Sequence, residues 1–286
     1  MALLYTDLKH PLAAPVKTGL DALVRLKLKA EAGMTNDIEH LDDYAEVLTS
    51  AHAPASNEGM RLNVAATDPE FRRMSIDRIL AYVETARRYP NVSQVNIHFA
   101  PKKWVDDAQT AGQEGDYGLL IDAVREIAAF AAKHGIEIVM ENNNAYWSDI
   151  ADDVPAEDVD WTDRNRYFGM APEEWRQVCL DVDHPNVGLC LDSSHTCTYA
   201  HTFPEERREE RVLAFLARPE LIRHVHWNDN YLYDGRGRSD SHALVGKGTL
   251  PIEMHRRIKY LDATILLEHF YSTEELEGEL EFVNSL

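Results

Sequence analysis

The sequence predicts an α/β protein that folds as a single (β/α)8 barrel. The clearest sign is a helix of regular period, Tyr117–His134, which ends at Gly135 and is followed at once by the apolar strand Ile136–Glu141. This step from a helix to a short buried strand recurs along the chain and is typical of parallel α/β proteins. About eight strands alternate with helices, and no Gly-x-Gly-x-x-Gly turn follows the first, so a closed barrel is favoured over an open dinucleotide-binding sheet.

Each element follows from its hydrophobic period and from its start and stop residues. Thr-Asp-Pro, for example, begins the helix at Asp68, and Pro90 ends it. The first third is expected to be irregular, because little room for a helix separates the second and third strands. The predicted strands are Leu3–Thr6, Asp37–Leu41, Glu46–His52, Val92–His98, Ile136–Glu141, Val187–Asp192, Ile222–His226 and Ala263–Glu268. The predicted helices are Gly19–Ala32, Asp68–Tyr89, Tyr117–His134, Pro172–Val182, Glu205–Ala217, Pro251–Tyr260 and Thr273–Val283.

Residues 1–286 are expected to form one domain, since a barrel of about 250 residues accommodates such a chain. Two loop inserts, at 142–169 and 227–248, follow strand ends. In a barrel such loops lie on the carboxyl-terminal face, where active sites are built. The acidic stretch 148–163 in the first insert is predicted to be a solvated lid, with a cation site as the alternative.

The charge and composition argue against a nucleic-acid-binding protein and against a membrane protein. The chain has 49 acidic and 29 basic residues, a formal net charge of −20, whereas nucleic-acid affinity rests largely on Lys and Arg. Nucleic acid is therefore not the expected partner, although a local basic or metal-rich patch could still bind an anion. No apolar run reaches the roughly 18 residues of a membrane span, and the amino terminus does not read as a secretory signal. A soluble cytoplasmic protein with no membrane partner is expected.

The three cysteines point to a reduced compartment. Cys179, Cys190 and Cys197 do not make an even disulfide framework, and none lies in a Cys-x-x-Cys pair. Ordinary packing roles are expected for all three. A structural thiolate metal site is not expected.

The predicted strand ends carry the residues that suggest chemistry. Six successive strands end in a His, Asp or Glu, and their ends meet on one face of a barrel. Carboxylate oxygen and imidazole nitrogen together are the ligands of Zn²⁺, Mn²⁺, Fe²⁺ or Co²⁺ rather than of Mg²⁺ or Ca²⁺. Asp240 and His242, on a glycine-rich loop, form a further pair suited to a metal or to a substrate hydroxyl. The strand-end residues are His52, His98, Glu141, Asp192 with His195, His226 and Glu268.

These motifs resemble a known superfamily. The chain is similar to the xylose-isomerase-like TIM barrels, which hold endonuclease IV and the sugar-phosphate isomerases and epimerases, over residues 46 to 270. The ordered set is fairly specific for the superfamily and much less specific within it. The motifs are HAP at His52, NIH at His98, VMEN at Glu141, GLCLDSSH through Asp192 and His195, HVHWND through His226 and Asp229, SDSHALVGKGTL through Asp240 and His242, and LLEH at Glu268.

The resemblance implies one of two metal sites. In the sugar branch, one divalent ion is held by Glu141, Asp192, His226 and Glu268, and the two glutamates move a proton on a ketose. In endonuclease IV, three zinc ions cleave a DNA phosphodiester, and all nine of its ligand types are present. These fall on His52, His98, Glu141, Asp192, His195, His226, Asp240, His242 and Glu268. One ion, of Mn, Zn, Co or Fe, is favoured here, and up to three fit the ligands.

The departures from the nuclease pattern favour the sugar branch. NNNAYW and then the acidic insert follow Glu141, and Ser193 and Ser194 replace a Thr-Cys. FAPKKW follows His98 without the nuclease Pro-Gly-Ser. The chain is therefore predicted to be a metal-dependent isomerase or epimerase of a small sugar or sugar phosphate. The alternatives are an endonuclease IV-like phosphoesterase, then a decarboxylase, dehydratase or oxygenase, and a non-catalytic metal-binding scaffold. The sugar, the metal and the oligomeric state, which could be a homo-oligomer, stay open.

The proposed chemistry is proton transfer through a cis-enediolate. The metal would act as a Lewis acid that lowers the pKa of the substrate C–H. One of Glu141 and Glu268 would take the proton and the other return it, while His195 would hydrogen-bond the substrate. An apolar wall for the sugar would come from Trp104, Tyr146, Trp147 and Trp227, each with loop packing as the alternative. Lys247 could meet a phosphate, although a solvated lysine is the simpler reading.

Overall fold

The computed structural model describes residues 8–33, 38–102, 114–147, 150–151, 153–164, 166–269 and 272–286. The strands are β1 Leu12–Pro15, β2 Lys29–Ala32, β3 Leu48–His52, β4 Ser56–Asn57, β5 Met60–Arg61, β6 Gln94–His98, β7 Glu137–Glu141, β8 Val187–Asp192, β9 Ile222–Trp227 and β10 Thr264–Leu267. The α-helices are α1 Leu20–Leu26, α2 Pro69–Ala86, α3 Tyr117–Ala132, α4 Trp161–Arg164, α5 Pro172–Val182, α6 Ser193–Ala200, α7 Glu205–Ala214, α8 Ile252–Lys259 and α9 Thr273–Ser285.

The strands form the predicted eight-stranded barrel. Their order is β1-β10-β9-β8-β7-β6-β3-β2, closed on itself, with helices between successive strands in most of the chain. The pairings are parallel where their register is defined, as between β6 and β7 and between β9 and β10. Strands β4 and β5 form a separate antiparallel pair. The prediction of a (β/α)8 barrel is confirmed.

The first third is irregular, as predicted, and the strand predicted over Glu46–His52 is present as β3, but the second barrel strand lies elsewhere. Ile38–His40 is a short 3₁₀ helix, so the strand predicted over Asp37–Leu41 is wrong for the residues described there. The second barrel strand is Lys29–Ala32, inside the helix predicted over Gly19–Ala32. That helix ends early because Lys27 adopts a left-handed conformation with φ 57°. The predicted strand Leu3–Thr6 lies outside the described residues.

Contacts within the chain divide it into two compact units. The first unit comprises residues 1–30, 144–164 and 190–286, and the second comprises 31–143 and 165–189. In the second unit, α2, α3 and α5 belong with β3, β6 and β7. Trp175 of α5 is fully buried there, and its indole N–H donates to the carbonyl of Met140 over 3.0 Å. This bond anchors α5 to the strand that ends in Glu141.

The first unit holds β9 and β10 with helices α6 to α9. Strand β8 runs directly into α6, because Asp192 is both the last residue of the strand and the N-cap of the helix. Helix α9 begins with a capping box between Ser272 and Glu275. Among the described residues, no helix is long and apolar enough to cross a membrane.

Candidate metal centre

Asp192 is a candidate ligand of the first unit whose carboxylate is held by hydrogen bonds on both oxygens. It is fully buried. One carboxylate oxygen accepts the backbone N–H of His195 over 2.9 Å, and the other accepts from Nδ2 of Asn228 over 3.1 Å. The junction of β8 and α6 therefore holds the carboxylate in one orientation and brings His195 beside it.

His226 and Glu268 complete a first group of possible ligands. Leu266 of β10 pairs with His226 of β9, and Glu268 follows two residues later, on the same side as Leu266 by strand alternation. Nδ1 of His226 lies 3.2 Å from Oε2 of Glu268 and 4.0 Å from Oδ2 of Asp192. Ligand atoms of all three residues lie within 4.8 Å of one another. The three predicted residues of this unit are thus brought together.

A second group adds the Asp-x-His pair of the long loop. Nε2 of His195 lies 3.2 Å from Oδ2 of Asp240, and Nε2 of His242 lies 2.9 Å from Oδ1 of the same carboxylate. Nε2 of His242 is also 3.8 Å from Oδ2 of Asp192. These four residues again have ligand atoms within 4.8 Å of one another. Asp192 belongs to both groups.

The carboxylates of the second group shift the pKa values of the residues around them. Burial raises the pKa of Asp192 to about 6, with the charges of His195 and His242 opposing the rise. Burial lowers the pKa of His242, but the hydrogen bond to Asp240 and the nearby carboxylates outweigh it and raise that pKa to about 10.

Burial acts to raise the pKa of Asp240 as well, but His195 and His242 outweigh it and hold that pKa well below its usual range. The carboxylates therefore keep His242 protonated at neutral pH. A divalent cation bound among them would supply the same compensating charge, so the donor set fits a metal ion.

The second unit contains its own group of imidazole and carboxylate. Nε2 of His52 lies 3.0 Å from Oε2 of Glu141 and 3.2 Å from Nε2 of His98, which is 3.6 Å from the same carboxylate oxygen. A tetrahedral zinc site with bonds of about 2.0–2.1 Å places its ligand atoms about 3.3 Å apart. The spacing of these three atoms therefore fits such a site. Nδ2 of Asn96 donates to the same oxygen of Glu141 over 2.5 Å.

The loop that carries Asp240 and His242 is held by Asp229. The Asp229 carboxylate accepts the backbone N–H groups of Asn230, Gly246 and Leu250 over 2.8 to 3.0 Å. A Cβ at Gly248 would come within 2.4 Å of this carboxylate. Only glycine therefore lets the loop approach so closely.

Two of the aromatic residues predicted to contact substrate, Trp227 and Trp147, have other partners in the structure. Trp227 is fully buried, and its indole donates to Nδ1 of His255 on α8 over 3.0 Å. Trp147 is buried, donates to the carbonyl of Thr198 over 3.1 Å, and lies under the guanidinium of Arg238 at 4.2 Å.

The remaining residues predicted to contact substrate differ in their exposure to solvent. Tyr146 is half-buried and Lys247 is exposed. Trp104 lies outside the described residues. The substrate roles of all these side chains stay predictions.

Sequence reasoning missed several amides around the carboxylates. Asn96 lies two residues before His98, and strand alternation alone places both on one face. Asn228 directly follows the strand that ends in Trp227, within the HVHWND motif. Nδ2 of Asn144 donates to Asp240 over 3.3 Å. In the sequence, the run Asn142–Asn144 is informative only as a departure from the nuclease pattern, and it does not predict this contact.

Comparison with known proteins agrees with these features. The chain is 23% identical over 232 residues to a probable endonuclease 4 of Chlorobium phaeovibrioides, covering 79% of this chain and 74% of the relative. A D-tagatose 3-epimerase-like protein has a similar fold, with a TM-score of 0.66, 20% identity and coverage of 96% of this chain and 99% of that one. A Thermus thermophilus protein whose crystal was soaked with ZnCl2 has a TM-score of 0.60 and 21% identity, with coverage of 96% of each chain.

The match to a family description decides the classification. The family described as xylose isomerase-like TIM barrel matches residues 38–286. This range includes all nine candidate ligands, from His52 to Glu268. The protein belongs to the xylose isomerase-like TIM barrel family.

Proposed function

We propose that this protein is a divalent-metal-dependent epimerase or isomerase of a small keto sugar or its phosphate. The observation that carries the proposal is the group formed by Asp192, His226 and Glu268. Two of these side chains are fully buried, while that of Glu268 is 21% exposed. A carboxylate at the rim of a buried donor set is placed to reach a bound substrate. The fold shared with a D-tagatose 3-epimerase-like protein supports the same substrate class.

Each residue has a distinct role in this proposal. A divalent ion of Mn, Co, Zn or Fe would polarise the substrate carbonyl and lower the pKa of the neighbouring C–H. Asp192 and His226 hold the ion, and Glu268 removes the proton from the substrate carbon. His195 donates a hydrogen bond to a substrate oxygen. The resemblance gives proton transfer to the pair Glu141 and Glu268, so the return of the proton falls to Glu141 in this proposal.

Proton exchange with solvent tests this proposal. The protein, supplied with Mn²⁺, Co²⁺ or Zn²⁺, is incubated in D2O with ketopentoses, ketohexoses and their phosphates, and deuterium at the carbons beside the ketone is followed by NMR. The wild type should incorporate deuterium into at least one sugar. Glu268→Gln and Glu141→Gln should each lower the rate by about a hundredfold or more. Glu281→Gln, at an exposed position of α9, should keep the wild-type rate.

Two results would overturn the proton-transfer role. One is wild-type exchange in Glu268→Gln, and the other is an absence of exchange with every sugar in the panel. Metal content measured on the same samples separates loss of the ion from loss of the base.

An endonuclease IV-like phosphoesterase is the second candidate. The second group of ligands favours it, because Asp192, His195, Asp240 and His242 together with His226 and Glu268 supply more donors than one four-coordinate ion needs. The 23% identity to a probable endonuclease 4 also supports this candidate. The net charge of −20 opposes binding to a DNA backbone. Cleavage of an abasic duplex at low salt, together with three zinc ions per chain, would establish this function in place of the first.

A further inference from the structure

We propose that Cys190, His224 and His226 form a further binding site, for a thiophilic cation of the zinc and cadmium class. Ligand atoms of the three residues lie within 4.8 Å of one another. Each of the three residues is at most 1% exposed. One thiolate and two imidazoles are the donor set that soft and borderline metals prefer over Mg²⁺ or Ca²⁺.

The strand pattern explains why these residues meet. Cys190 lies two residues before Asp192 in β8, and His224 lies two residues before His226 in β9, so each pair shares a face. Trp227, on the opposite face of β9, contacts His255 of α8. Cys190 and His224 therefore form the layer directly below Asp192 and His226.

The composition of this layer is unusual for a barrel. Barrel interiors are filled mainly by bulky branched apolar side chains such as Val, Ile and Leu. Cys190 and His224 stand at such positions instead.

Thr264 is a hydrogen-bond partner of His224. Its hydroxyl lies 2.6 Å from Nδ1 of His224 and 3.3 Å from the carbonyl of Arg223. When the hydroxyl proton goes to that carbonyl, the hydroxyl accepts from Nδ1–H, and Nε2 of His224 carries the lone pair. A second partner that fixes the tautomer in this way is typical of histidine ligands.

Binding requires one proton to leave and a small adjustment of the side chains. The thiol of Cys190 loses its proton to solvent, and the thiolate and the two neutral imidazoles donate their electron pairs to the cation. With Zn–S of about 2.3 Å and Zn–N of about 2.0–2.1 Å, the ligand atoms should lie about 3.3–3.6 Å apart. Shifts of about 1 Å from separations of up to 4.8 Å reach that geometry.

His226 belongs both to this site and to the centre described above. Occupation of the thiolate site therefore changes the environment of a ligand that the proposed function uses, and a soft cation becomes an inhibitor candidate. The site itself does not rest on the proposed function, because neither Cys190 nor His224 takes part in proton transfer.

Cadmium titration tests the site directly. Reduced protein freed of metal is titrated with CdCl2, and the ultraviolet charge-transfer absorption of a cadmium–thiolate bond is recorded. The wild type should show a band that saturates at one equivalent. Cys190→Ser should lack it, and His224→Gln should bind cadmium at least about tenfold more weakly.

Two controls separate this site from other thiols and from the other centre. Cys197→Ser removes a buried cysteine of α6 that is outside the group and should keep the band. Glu268→Gln should also keep it, even though it is expected to stop proton exchange. If Cys190→Ser fails to fold, the ¹¹³Cd chemical shift of the wild-type complex still reports whether sulfur is bound. A wild-type band that survives in Cys190→Ser, or a cadmium signal without sulfur coordination, would overturn the proposal.

Discussion

Nε2 of His269 lies 2.9 Å from Oε1 of Glu279, and both side chains are buried. Nδ1 of His269 donates to the carbonyl of His242 over 2.9 Å, and Oε1 of Glu279 accepts the backbone N–H of Val245 over 2.5 Å. Helix α9 thus holds the loop that carries a candidate ligand. Nδ1 of His242 in turn donates to the carbonyl of Glu268 over 3.1 Å, so the loop and the end of β10 are fixed to each other.

Glu279→Gln is expected to weaken metal binding without removing a ligand. The amide keeps the shape of the carboxylate but loses its charge and one of its acceptor oxygens. Metal affinity, measured against a chelator, should fall about tenfold, and the Val245 amide should exchange faster with deuterium. Glu281→Gln, on the exposed side of the same helix, should change neither. Wild-type affinity and protection in Glu279→Gln would show that this contact does not position His242.

Asp229→Ala should destabilise the whole protein. Its carboxylate accepts three backbone N–H groups, two of them in buried bonds, and the truncated side chain would leave all three without these bonds. The free energy of unfolding, measured with urea, should fall by about 3 kcal/mol. Asp262→Ala is the matched control, because Asp262 is exposed and only pairs with Lys9 and His10. Equal losses in the two variants would contradict the role given to Asp229.

His201 should contribute to the loss of stability in acid. Burial is the main cause that lowers its pKa to about 4 from an ordinary value of 6.5. The unfolded chain therefore takes up a proton on this ring before the folded chain does. The stability that this histidine contributes is complete above pH 6.5 and is lost as the pH falls from 6.5 towards 4.

His201→Asn removes this titration. Unfolding free energies at pH 7.5 and pH 4.5 should differ less in the variant than in the wild type, by up to about 3 kcal/mol. Comparing each protein with itself removes any change in stability that the substitution causes at every pH. The same pH difference in both proteins would show that His201 is not a source of the acid sensitivity.

Much of the candidate site is readable from the sequence because of one geometric rule. Parallel strands that alternate with helices deliver their carboxyl ends to one face, so a polar residue after each strand already indicates a site. The ends at Glu141 and Asp192 follow apolar runs, and the structure keeps the strands that end at Glu141, Asp192 and near His226 within one residue of the predicted bounds. Strand β2 was missed because Lys29–Ala32 is short and continues the apolar period of the preceding helix.

The sequence does not predict contacts that depend on hydrogen bonds to distant backbone amides. It also does not predict contacts between residues inside the barrel, away from the strand ends. The role of Asp229 depends on amides up to 21 residues away, which no local pattern reveals. In the sequence, His224 is an ordinary strand residue. Only the structure shows that Cys190 of β8 lies beside it. The absence of a Cys-x-x-Cys pair gave no information about a thiol that neighbouring strands bring to two histidines.

The metal content of the purified protein tests the central claim most directly. Protein prepared without added metal is analysed for Mn, Fe, Co and Zn alongside His226→Ala and Lys247→Ala, the latter at an exposed position. The wild type and Lys247→Ala should carry at least one equivalent of a divalent ion, and His226→Ala should lose most of it, with an affinity about a hundredfold lower in chelator competition. A metal-free wild type that binds none of these ions on titration, or full occupancy in His226→Ala, would contradict a metal centre at these strand ends.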